Sequence, residues 1–593
     1  MKKLLIATTV LAGVAGGWTL GASWIWSELA DRAFEPMGWW HALHYWNSNW
    51  WCQTMLIASA TVPGLGVITG AYWLLCSMMQ RWNWRNRLFE FTGTGNTPRP
   101  VERGISDNHG HARFGQPFEM LRDFAKPKNH QGVLIGALPG GVEALLFNSP
   151  AIGPGHCITI AGPDGGKSTS AITRLYCYSG PRVVLDPSNE IGPVMIAALE
   201  DDGYTVYTIG VDQHGLNVLD WIDPSRSTVN ADIATAVGHI FDEKGVQNRT
   251  TGGSSDPTWN IAARDLVTCL LSHIVFSAEK FDLKILRAAL GQSDTRMVRC
   301  MNHIAETSKS KRARHLANRL RETNKSEKTW ASLMFTVGAA TGWLADDAYA
   351  GIVSGDSFKT CDVLDAKTVI FVNLPLRTLI ATPAIGRAVM GALFNAVLHA
   401  DGKGLQNRVL FELEEGGLLG PMDEILLCYR TGRKYGAIMH YSLLAEDDLK
   451  AAWGEERANI IRNCSSWISY NSIQDPVTAK RLSEAMGTHG VMARSTGNNQ
   501  SSNKPWGLYM PSSSHGSVEN EHEIKRNLCN ADEVLRSPPD RMWVLARGVD
   551  YIVDCKTAPF YKYPAIADRM ANSRFNYRQA LLQQDQDELE ETE

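Results

Sequence analysis

The sequence lacks the features of several specialised protein classes. Its eleven cysteines are scattered and form no Cys-x-x-Cys pair, which argues against a disulfide framework and against the common zinc sites. The net charge is −4, so a uniformly basic coat for nucleic acid is excluded and any DNA contact must be a local patch. The 593 residues show no internal repeat and exceed one compact domain, which predicts two or three domains.

Charged residues are missing from two long stretches near the N-terminus. There is none between Lys3 and Glu28, and none between Glu35 and Arg81. Apolar runs of this length can span a bilayer, and the tryptophans at their edges favour the membrane–water boundary. The predicted segments are a first transmembrane helix at residues 1–27, a periplasmic loop at 28–53 and a second transmembrane helix at 54–80.

Positive charge flanks the outer end of each apolar segment. The positive-inside rule then puts both ends of the chain in the cytoplasm and the loop outside. Two alternatives stay open: the first segment is a cleaved signal peptide, which leaves the location of the body unchanged, or both segments are buried core helices. The flanking basic residues are Lys2, Lys3, Arg81, Arg85 and Arg87.

The remaining chain alternates strand-like and helix-like runs. A β-rich run at 156–160 leads into a glycine-rich loop and a helical stretch, and further apolar runs follow at 182–186 and 204–210. This order predicts a parallel α/β sheet. A long helical pattern then separates these runs from later strand-like runs, which predicts an all-helical insertion. The predicted parts are 81–255 and 351–565 for the α/β domain, 256–350 for the insertion, and 566–593 for an acidic tail that is either solvated or partner-binding.

The ten residues AGPDGGKSTS, at positions 161–170, follow the first strand-like run and open the helix. Their end fits the phosphate-binding pattern Gly-x-x-x-x-Gly-Lys-Ser, but Ala161 stands where the first glycine is expected. In such loops the N–H groups of the helix N-terminus and the lysine hold phosphates, and the following hydroxyl binds magnesium. The alternative is a tight glycine-rich turn with a surface lysine. The predicted nucleotide-binding residues are Gly162, Gly165, Gly166, Lys167, Ser168 and Thr169, with Ser168 also a magnesium ligand.

A second run, VLFELEE at 409–415, ends on two adjacent acids. In phosphate-loop enzymes an acid at the end of a neighbouring strand holds magnesium, and a following Glu polarises the attacking water. We assign these roles to Glu414 and Glu415 as predicted catalytic residues, with Glu414 also a metal ligand. The predicted cofactors are therefore ATP and Mg²⁺.

Together these motifs resemble those of the TraG/TraD-like coupling ATPases of type IV secretion and conjugation. The resemblance covers nearly the whole chain, and its motifs come in the family's order. It implies a RecA-like P-loop NTPase domain with an all-helical domain, in a homo-hexamer anchored by two helices in the bacterial inner membrane. It further implies that the protein recruits relaxase-bound DNA or effector proteins and delivers them to the secretion channel proteins using ATP. The matching motifs are HARFG at 111–115, VVLDPSNE at 183–190, GLNVLDWIDP at 215–224, SDPTWNIAARDLVTCLL at 255–271, YRTGRKYG at 429–436, NCSSWISYN at 463–471, DPVTA at 475–479 and SPPDRMWVLARG at 537–548.

The nucleotide site departs from the family pattern at several positions. Asp164 brings a negative charge to the loop, Glu414 is one methylene longer than the family's Asp, and Glu412 interrupts an expected buried strand. Two interpretations stay open: an ATPase with a variant site, and a non-hydrolysing membrane receptor or scaffold for the same secretion system. A DNA pump of the chromosome-partitioning type shares the core but lacks the other motifs. The remaining departures are Ala161, Ser188-Asn189 in place of Lys-Gly, and His440-Tyr441-Ser442 where the family has a glutamine.

Three further segments carry predictions of their own. Arg433, with Arg430, lies in an Arg-rich turn and is predicted to complete the site of a neighbouring subunit, the alternative being a surface salt bridge. The basic stretch 309–328 is either a solvated helix face or a patch that meets DNA phosphates or an acidic secretion signal. The polar stretch 494–519 is predicted to be a flexible loop.

Overall fold

The protein divides into two compact units, Met1–Glu102 and Arg103–Glu593. Both units are seen in a computed structural model of the chain. The described residues are 18–31, 33–45, 50, 52–61, 108–125, 132–138, 145–148, 155–241, 257–402, 407–503 and 512–570.

The first unit contains helical residues 18–29 and 52–61, with a short helix Gly38–Ala42 and a 3-10 turn Leu43–Tyr45 between them. The Trp39 indole N–H donates to the Leu56 carbonyl oxygen at 3.1 Å, which ties the connecting segment to the second of these helices. Within the described residues no helix is both long enough and apolar enough to cross a membrane. The other parts of the two predicted transmembrane segments lie outside the described residues.

The second unit is built on an eleven-stranded sheet with the order β2-β1-β13-β12-β9-β3-β8-β7-β4-β6-β5. The seven strands from β9 to β5 pair in parallel, and β12, β13, β1 and β2 extend one side in antiparallel fashion. The strands of this sheet are β1 (Leu134–Ala137), β2 (Leu145–Phe147), β3 (Cys157–Ala161), β4 (Arg182–Leu185), β5 (Thr205–Ile209), β6 (Thr368–Val372), β7 (Val409–Glu414), β8 (Ala437–Leu443), β9 (Trp467–Asn471), β12 (Arg541–Ala546) and β13 (Val553–Lys556).

The inner parallel strands β3, β4, β6, β7 and β8 are buried at every position, which is why their sequences are largely apolar. Successive side chains of β4 point to opposite faces: Val183 and Leu185 join one hydrophobic cluster, and Val184 joins the other. The helices of this unit in the described residues are Pro117–Asp123, Lys167–Cys177, Gly192–Asp201, Val229–Ile240, Pro257–Ser277, Leu283–Leu290, Asp294–Thr307, Lys311–Thr323, Glu327–Thr341, Asp347–Val353, Leu376–Ala381, Pro383–Ala400, Asp423–Leu427, Arg433–Tyr435, Glu446–Trp453, Glu455–Cys464, Pro476–Met486, Ala531–Leu535 and Pro564–Ala567, with a π-helical turn at Cys428–Gly432.

Between β5 and β6, the described residues 229–241 and 257–364 are mostly helical, from Val229 to the 3-10 turn Thr360–Leu364. The helix starts there follow ordinary capping rules, because the hydroxyls of Ser310 and Ser326 accept from backbone N–H groups three residues on. The structure thus has a helical segment between two strands of one sheet, and the predicted domain limits 256 and 350 stay a prediction.

The predicted flexible loop at 494–519 is wrong. Strands β10 (Thr488–Asn503) and β11 (Ser512–Asn527) form an antiparallel hairpin, paired from Thr488 with Asn527 to Asn503 with Ser512. Strand pairing uses backbone N–H and C=O groups, so a polar segment can form a ladder without any apolar alternation in its sequence. The residues between the two strands lie outside the described part.

Candidate nucleotide site

The phosphate loop leaves the carboxyl end of β3 and turns directly into the helix Lys167–Cys177. Ala161 is the last residue of β3, so the glycines of the loop begin one residue later, at Gly162. Gly166 precedes the helix with φ at 73°, a left-handed conformation that favours glycine. The exposed Asp164 also has a positive φ, which a non-glycine residue adopts at some cost.

The end of β9 contacts the loop and explains its need for glycine. The Asn471 side-chain amide donates to the Gly165 carbonyl oxygen at 2.6 Å, and the Ser472 hydroxyl donates to the Pro163 carbonyl oxygen at 3.2 Å. A Cβ atom at Gly162 would lie 2.2 Å from the Ser472 carbonyl oxygen. Asn471 ends the motif at 463–471, but its contact with the loop and that of Ser472 were not predicted, because 306 and 309 residues separate the partners in sequence.

The helix that begins at Lys167 presents the N-terminal N–H groups that lack acceptors within the helix. Ser168 is half-buried in its first turn. The Thr169 hydroxyl donates to the Gly166 carbonyl oxygen at 3.1 Å, so in this structure it stabilises the loop. Of the six predicted nucleotide-binding residues, Gly162, Gly165, Gly166 and Thr169 shape the loop, and Lys167 and Ser168 open the helix that follows it.

The two predicted catalytic acids lie at the carboxyl end of β7, which is separated from β3 by the single strand β8. The Lys167 Nζ atom lies 3.9 Å from Glu415 Oε1, so the structure brings loop and acids together. Glu415 has φ at 52°, and this left-handed turn ends the strand directly after Glu414. Burial lowers the pKa of Lys167, and the charges of Glu415, Glu414 and Asp448 offset only part of this effect.

Glu414 is buried, and its environment favours the neutral form. Burial and the charge of Glu412 raise the pKa of Glu414 to about 7, although Lys167 and Arg174 act in the opposite direction. Its Oε1 atom has no hydrogen-bond partner among the described residues. An unpartnered buried carboxylate oxygen beside a lysine and a helix N-terminus fits a divalent cation, which would supply the missing charge and bond.

Magnesium would depend on more than protein ligands here. In the described part of the chain, no group of three or more His, Cys, Asp or Glu side chains is arranged to hold a metal ion. Magnesium commonly binds through one or two protein ligands together with phosphate oxygens and water, so Ser168 and Glu414 suffice for a nucleotide-dependent site. The residues present fit Mg²⁺ with a nucleotide, and they do not form a site for the metal alone.

Two further acids lie near the site, and neither was assigned a role from the sequence, although Asp186 belongs to the motif at 183–190. Asp448, in the first turn of the helix Glu446–Trp453 after β8, contributes to the electrostatic environment of Lys167. Asp186, at the end of β4, accepts from the backbone N–H groups of Ile191 at 2.8 Å and Gly192 at 3.1 Å. Asp186 therefore holds the start of a helix.

Glu412 does not interrupt β7, contrary to the sequence analysis. Its carboxylate is fully buried and pairs with both Arg174, on the phosphate-loop helix, and His440, on β8. A carboxylate with a buried cation and a hydrogen-bond donor can occupy a central strand, which an unpaired one could not. Two departures from the family pattern, at Glu412 and His440, are thus partners of each other.

Arg430 and Arg433 are not brought to the phosphate loop. They line a cavity of about 520 Å³ with His156 and Arg547. His156 immediately precedes β3, so this cavity lies at the amino edge of the sheet, opposite the phosphate loop. The five residues of β3 separate the two places by roughly 16 Å at ~3.3 Å per residue.

Part of the basic stretch 309–328 is already paired within the chain. Arg319 forms an ion pair with Asp265, Lys325 pairs with Glu322, and the Arg312 guanidinium donates to the Asn230 carbonyl oxygen. The stretch includes the helix Lys311–Thr323, whose apolar residues face the hydrophobic core. These contacts favour the helix-face interpretation for at least these three residues.

Comparison with known proteins identifies the family of the chain. Residues 124–583 match the family model described as Type IV secretory system Conjugative DNA transfer. The chain belongs to this family. The coupling-protein resemblance read from the motifs is confirmed by this match and by the relatives that follow.

Two curated relatives illustrate the match. The type IV secretion system-coupling protein VirD4 of Bartonella quintana (strain Toulouse) is 35% identical over 420 residues, which cover 69% of this chain and 63% of that protein. The conjugal transfer protein TraG of Rhizobium radiobacter is 29% identical over 444 residues, covering 74% of this chain and 66% of that protein. The chain therefore spans a little under two thirds of the length of these relatives.

Solved structures of the conjugative coupling protein TrwB show the same fold. The unbound form superposes with a TM-score of 0.51 at 14% identity and covers 78% of this chain and 96% of that one. Similar agreement holds for TrwB in complex with ADP and Mg²⁺, at 13% identity and a TM-score of 0.51. The predicted RecA-like α/β fold is thereby confirmed, and β12, β13, β1 and β2 make its sheet mixed where a parallel sheet was predicted.

Proposed function

We propose that this chain is a coupling ATPase of a type IV secretion or conjugation system. The observation that carries the proposal is the meeting of three side chains from distant segments: Lys167 on the loop after β3, and Glu414 and Glu415 at the end of β7. A lysine at the start of a helix, a buried acid and a second acid beside it are groups that phosphoryl transfer uses. Bound nucleotides in TrwB support the same ligand class for this chain.

The residues would divide the chemistry as follows. The loop N–H groups and Lys167 would bind the phosphates of ATP at the N-terminus of the helix. Ser168 and Glu414 hold Mg²⁺, which supplies positive charge to the phosphate oxygens when bound. Glu415, at the mouth of the site, orients a water molecule for in-line attack and accepts its proton.

Arg433 would act on a neighbouring subunit. Its position at the amino edge of the sheet, a strand length of about 16 Å away from its own phosphate loop, supports a role in trans over one in cis. In ring ATPases an arginine supplied by one subunit stabilises the charge that develops at the next subunit's γ-phosphate. We therefore extend the proposal to a homo-hexamer, the assembly implied by the family resemblance.

The cargo and the location follow from the family and the sequence. We propose relaxase-bound DNA or effector proteins as cargo, secretion channel proteins as partners, and an inner-membrane location. The uncharged stretches between Lys3 and Glu28 and between Glu35 and Arg81 support two membrane-spanning segments, with both termini and the body in the cytoplasm.

ATP turnover by the full-length chain in detergent tests the proposal. Turnover should require Mg²⁺, rise with single-stranded DNA if DNA is cargo, and fall at least a hundredfold in Lys167→Ala and Glu415→Gln. Lys480→Ala and Glu484→Gln, exposed on the helix Pro476–Met486, are matched charge controls that should leave turnover unchanged. A wild-type chain that binds nucleotide but never hydrolyses it, with or without DNA, would refute the ATPase and leave a membrane receptor.

A further inference from the structure

A buried ion pair joins the phosphate-loop helix to the strand that carries the acids. Arg174 lies two turns after Lys167 on the helix Lys167–Cys177, and Glu412 lies on β7. Arg174 Nε donates to Glu412 Oε2 and its terminal nitrogen donates to Glu412 Oε1, both at 3.2 Å. The two bonds make the pair bidentate. The side chains of Arg174 and Glu412 are 4% and 0% exposed, so the pair is shielded from water.

Three further side chains continue this pair across the sheet. His440 Nδ1 lies 2.7 Å from Glu412 Oε1, His440 Nε2 lies 2.9 Å from the Thr159 hydroxyl, and that hydroxyl lies 2.9 Å from the Ser469 hydroxyl. Burial and the charge of Arg174 lower the pKa of His440, so its ring is neutral. The ring then donates from Nδ1 to Glu412 and accepts at Nε2 from Thr159, which accepts from Ser469.

This arrangement is complete only when Glu412 is ionised. Burial raises the pKa of Glu412, but the charge of Arg174 and the His440 hydrogen bond outweigh it, and the pKa stays below its usual value. One negative and one positive charge then cancel in the interior, and both carboxylate oxygens have donors. The network therefore balances the charge of Arg174 without help from any other acid.

Glu414 is the other acid within reach of Arg174. It lies two residues after Glu412 and so on the same face of β7, the face covered by the phosphate-loop helix. Residues two apart on a strand lie roughly 7 Å from each other, so Glu414 is the next carboxylate along this face from the one that Arg174 holds. Arg174 and Glu414 nevertheless form no hydrogen bond among the described contacts, and Glu414 Oε1 stays without a partner.

We propose that Glu412 is a positioning residue, which engages Arg174 bidentately and thereby leaves the Glu414 carboxylate free to bind magnesium. The inference rests on the proposed nucleotide site and concerns residues to which that function assigned no role. Without the Glu412 charge, Glu414 is the next acid along the same face of β7 for the buried guanidinium. A guanidinium paired with Glu414 would compete directly with a divalent cation for the same oxygens.

The test is the effect of magnesium on nucleotide affinity, measured by calorimetry on the full-length chain in detergent. A non-hydrolysable ATP analogue is titrated with Mg²⁺ and with EDTA, and the ratio of the two dissociation constants defines the magnesium gain. In Glu412→Gln the gain should fall at least tenfold, with affinity in EDTA within threefold of wild type. Adding Arg174→Met, which removes the competitor, should return the gain to within threefold of wild type.

Glu424→Gln is the matched control. Glu424 is a buried acid that follows β7 in the chain, and its carboxylate lies 2.9 Å from His239 Nε2. It makes no contact with the Arg174 network among the described contacts. This variant should keep the magnesium gain even if it melts at a lower temperature. Loss of the gain there would show a general response to removing buried charge and would overturn the inference.

The outcomes separate this inference from the proposed function. A wild-type magnesium gain that Glu412→Gln retains overturns the positioning role alone, and so does a folded double variant that stays as defective as the single one. A wild-type chain with no magnesium gain overturns both. If Glu412→Gln does not fold, Glu412→Leu with Arg174→Met replaces the pair by apolar groups, and its gain must equal that of wild type.

Discussion

Replacing Glu414 by Gln should stabilise the nucleotide-free protein at high pH and not at low pH. Glutamine has the shape of a protonated glutamate and cannot ionise. The pKa of Glu414 is raised by burial from 4.5 to about 7, so the folded chain holds this proton more tightly than the unfolded chain between those pH values. The free energy of unfolding of the wild type therefore falls as pH rises through this range, and the variant escapes the loss.

The magnitude follows from the same two values. At about 1.36 kcal/mol for each tenfold change in proton affinity, the distance from 4.5 to about 7 corresponds to about 3 kcal/mol. An α/β body of several hundred residues unfolds with an entropy on the order of 1 kcal/mol/K, so the melting temperature should differ by about 3 °C. The variant should melt above the wild type at pH 8 and together with it at pH 5.

Scanning calorimetry of wild type, Glu414→Gln and the exposed control Glu484→Gln at pH 5, 6, 7 and 8 measures this. The scans contain no nucleotide and no magnesium, so that only the proton competes for the carboxylate. A difference between Glu414→Gln and wild type that is the same at pH 5 and pH 8 would refute the reasoning. It would mean that Glu414 ionises normally in the folded chain.

Three further predictions concern single positions. Gly162→Ala should weaken nucleotide binding at least tenfold in calorimetry, because the added Cβ would lie 2.2 Å from the Ser472 carbonyl oxygen. The control Gly238→Ala should leave binding unchanged, because a Cβ added there meets no atom within 4 Å. Arg433→Ala should reduce ATP turnover at least tenfold while nucleotide affinity stays within threefold, and an equal loss of affinity would contradict its role in trans. Phe411→Ala should lower the free energy of unfolding by about 3–5 kcal/mol in denaturant titrations, because Phe411 is fully buried with its ring centroid 4.3 Å from that of Phe394; a loss below about 1 kcal/mol would contradict that packing.

The parallel sheet and the place of the phosphate loop could be predicted from the sequence because both depend on local patterns. The run that becomes β3 is mostly apolar, and the glycine-rich loop with the Gly166-Lys167-Ser168 triplet follows it. The acids of β7 could also be predicted, since an apolar strand that ends in Glu414-Glu415 is a local signal. Parallel strands align their carboxyl ends at one edge, which is enough to bring these segments together.

The contacts between distant segments could not be predicted in the same way. A lone Glu412 inside an apolar run indicates an interruption until its partners Arg174 and His440 are known, and these lie 238 and 28 residues away in sequence. Asn471 contacts the loop across 306 residues. No periodicity records such pairings, because they depend on strand order in the finished sheet.

The hairpin of β10 and β11 was not predicted, for a different reason. Its segment is rich in Ser, Asn and Gly, and such composition is typical of loops. The ladder from Thr488–Asn527 to Asn503–Ser512 is made by backbone groups that every residue carries. The pattern of side chains along the sequence therefore does not indicate this ladder.

Nucleotide binding by the phosphate loop is the central claim, and one titration tests it most directly. Full-length wild type and Lys167→Ala are titrated by calorimetry with a non-hydrolysable ATP analogue in the presence of Mg²⁺. We expect saturable binding to the wild type and at least a hundredfold weaker binding to the variant, because Lys167 is the predicted positive charge on the phosphates and lies beside Glu415. Absence of binding to the wild type, or equal binding to both, would contradict it.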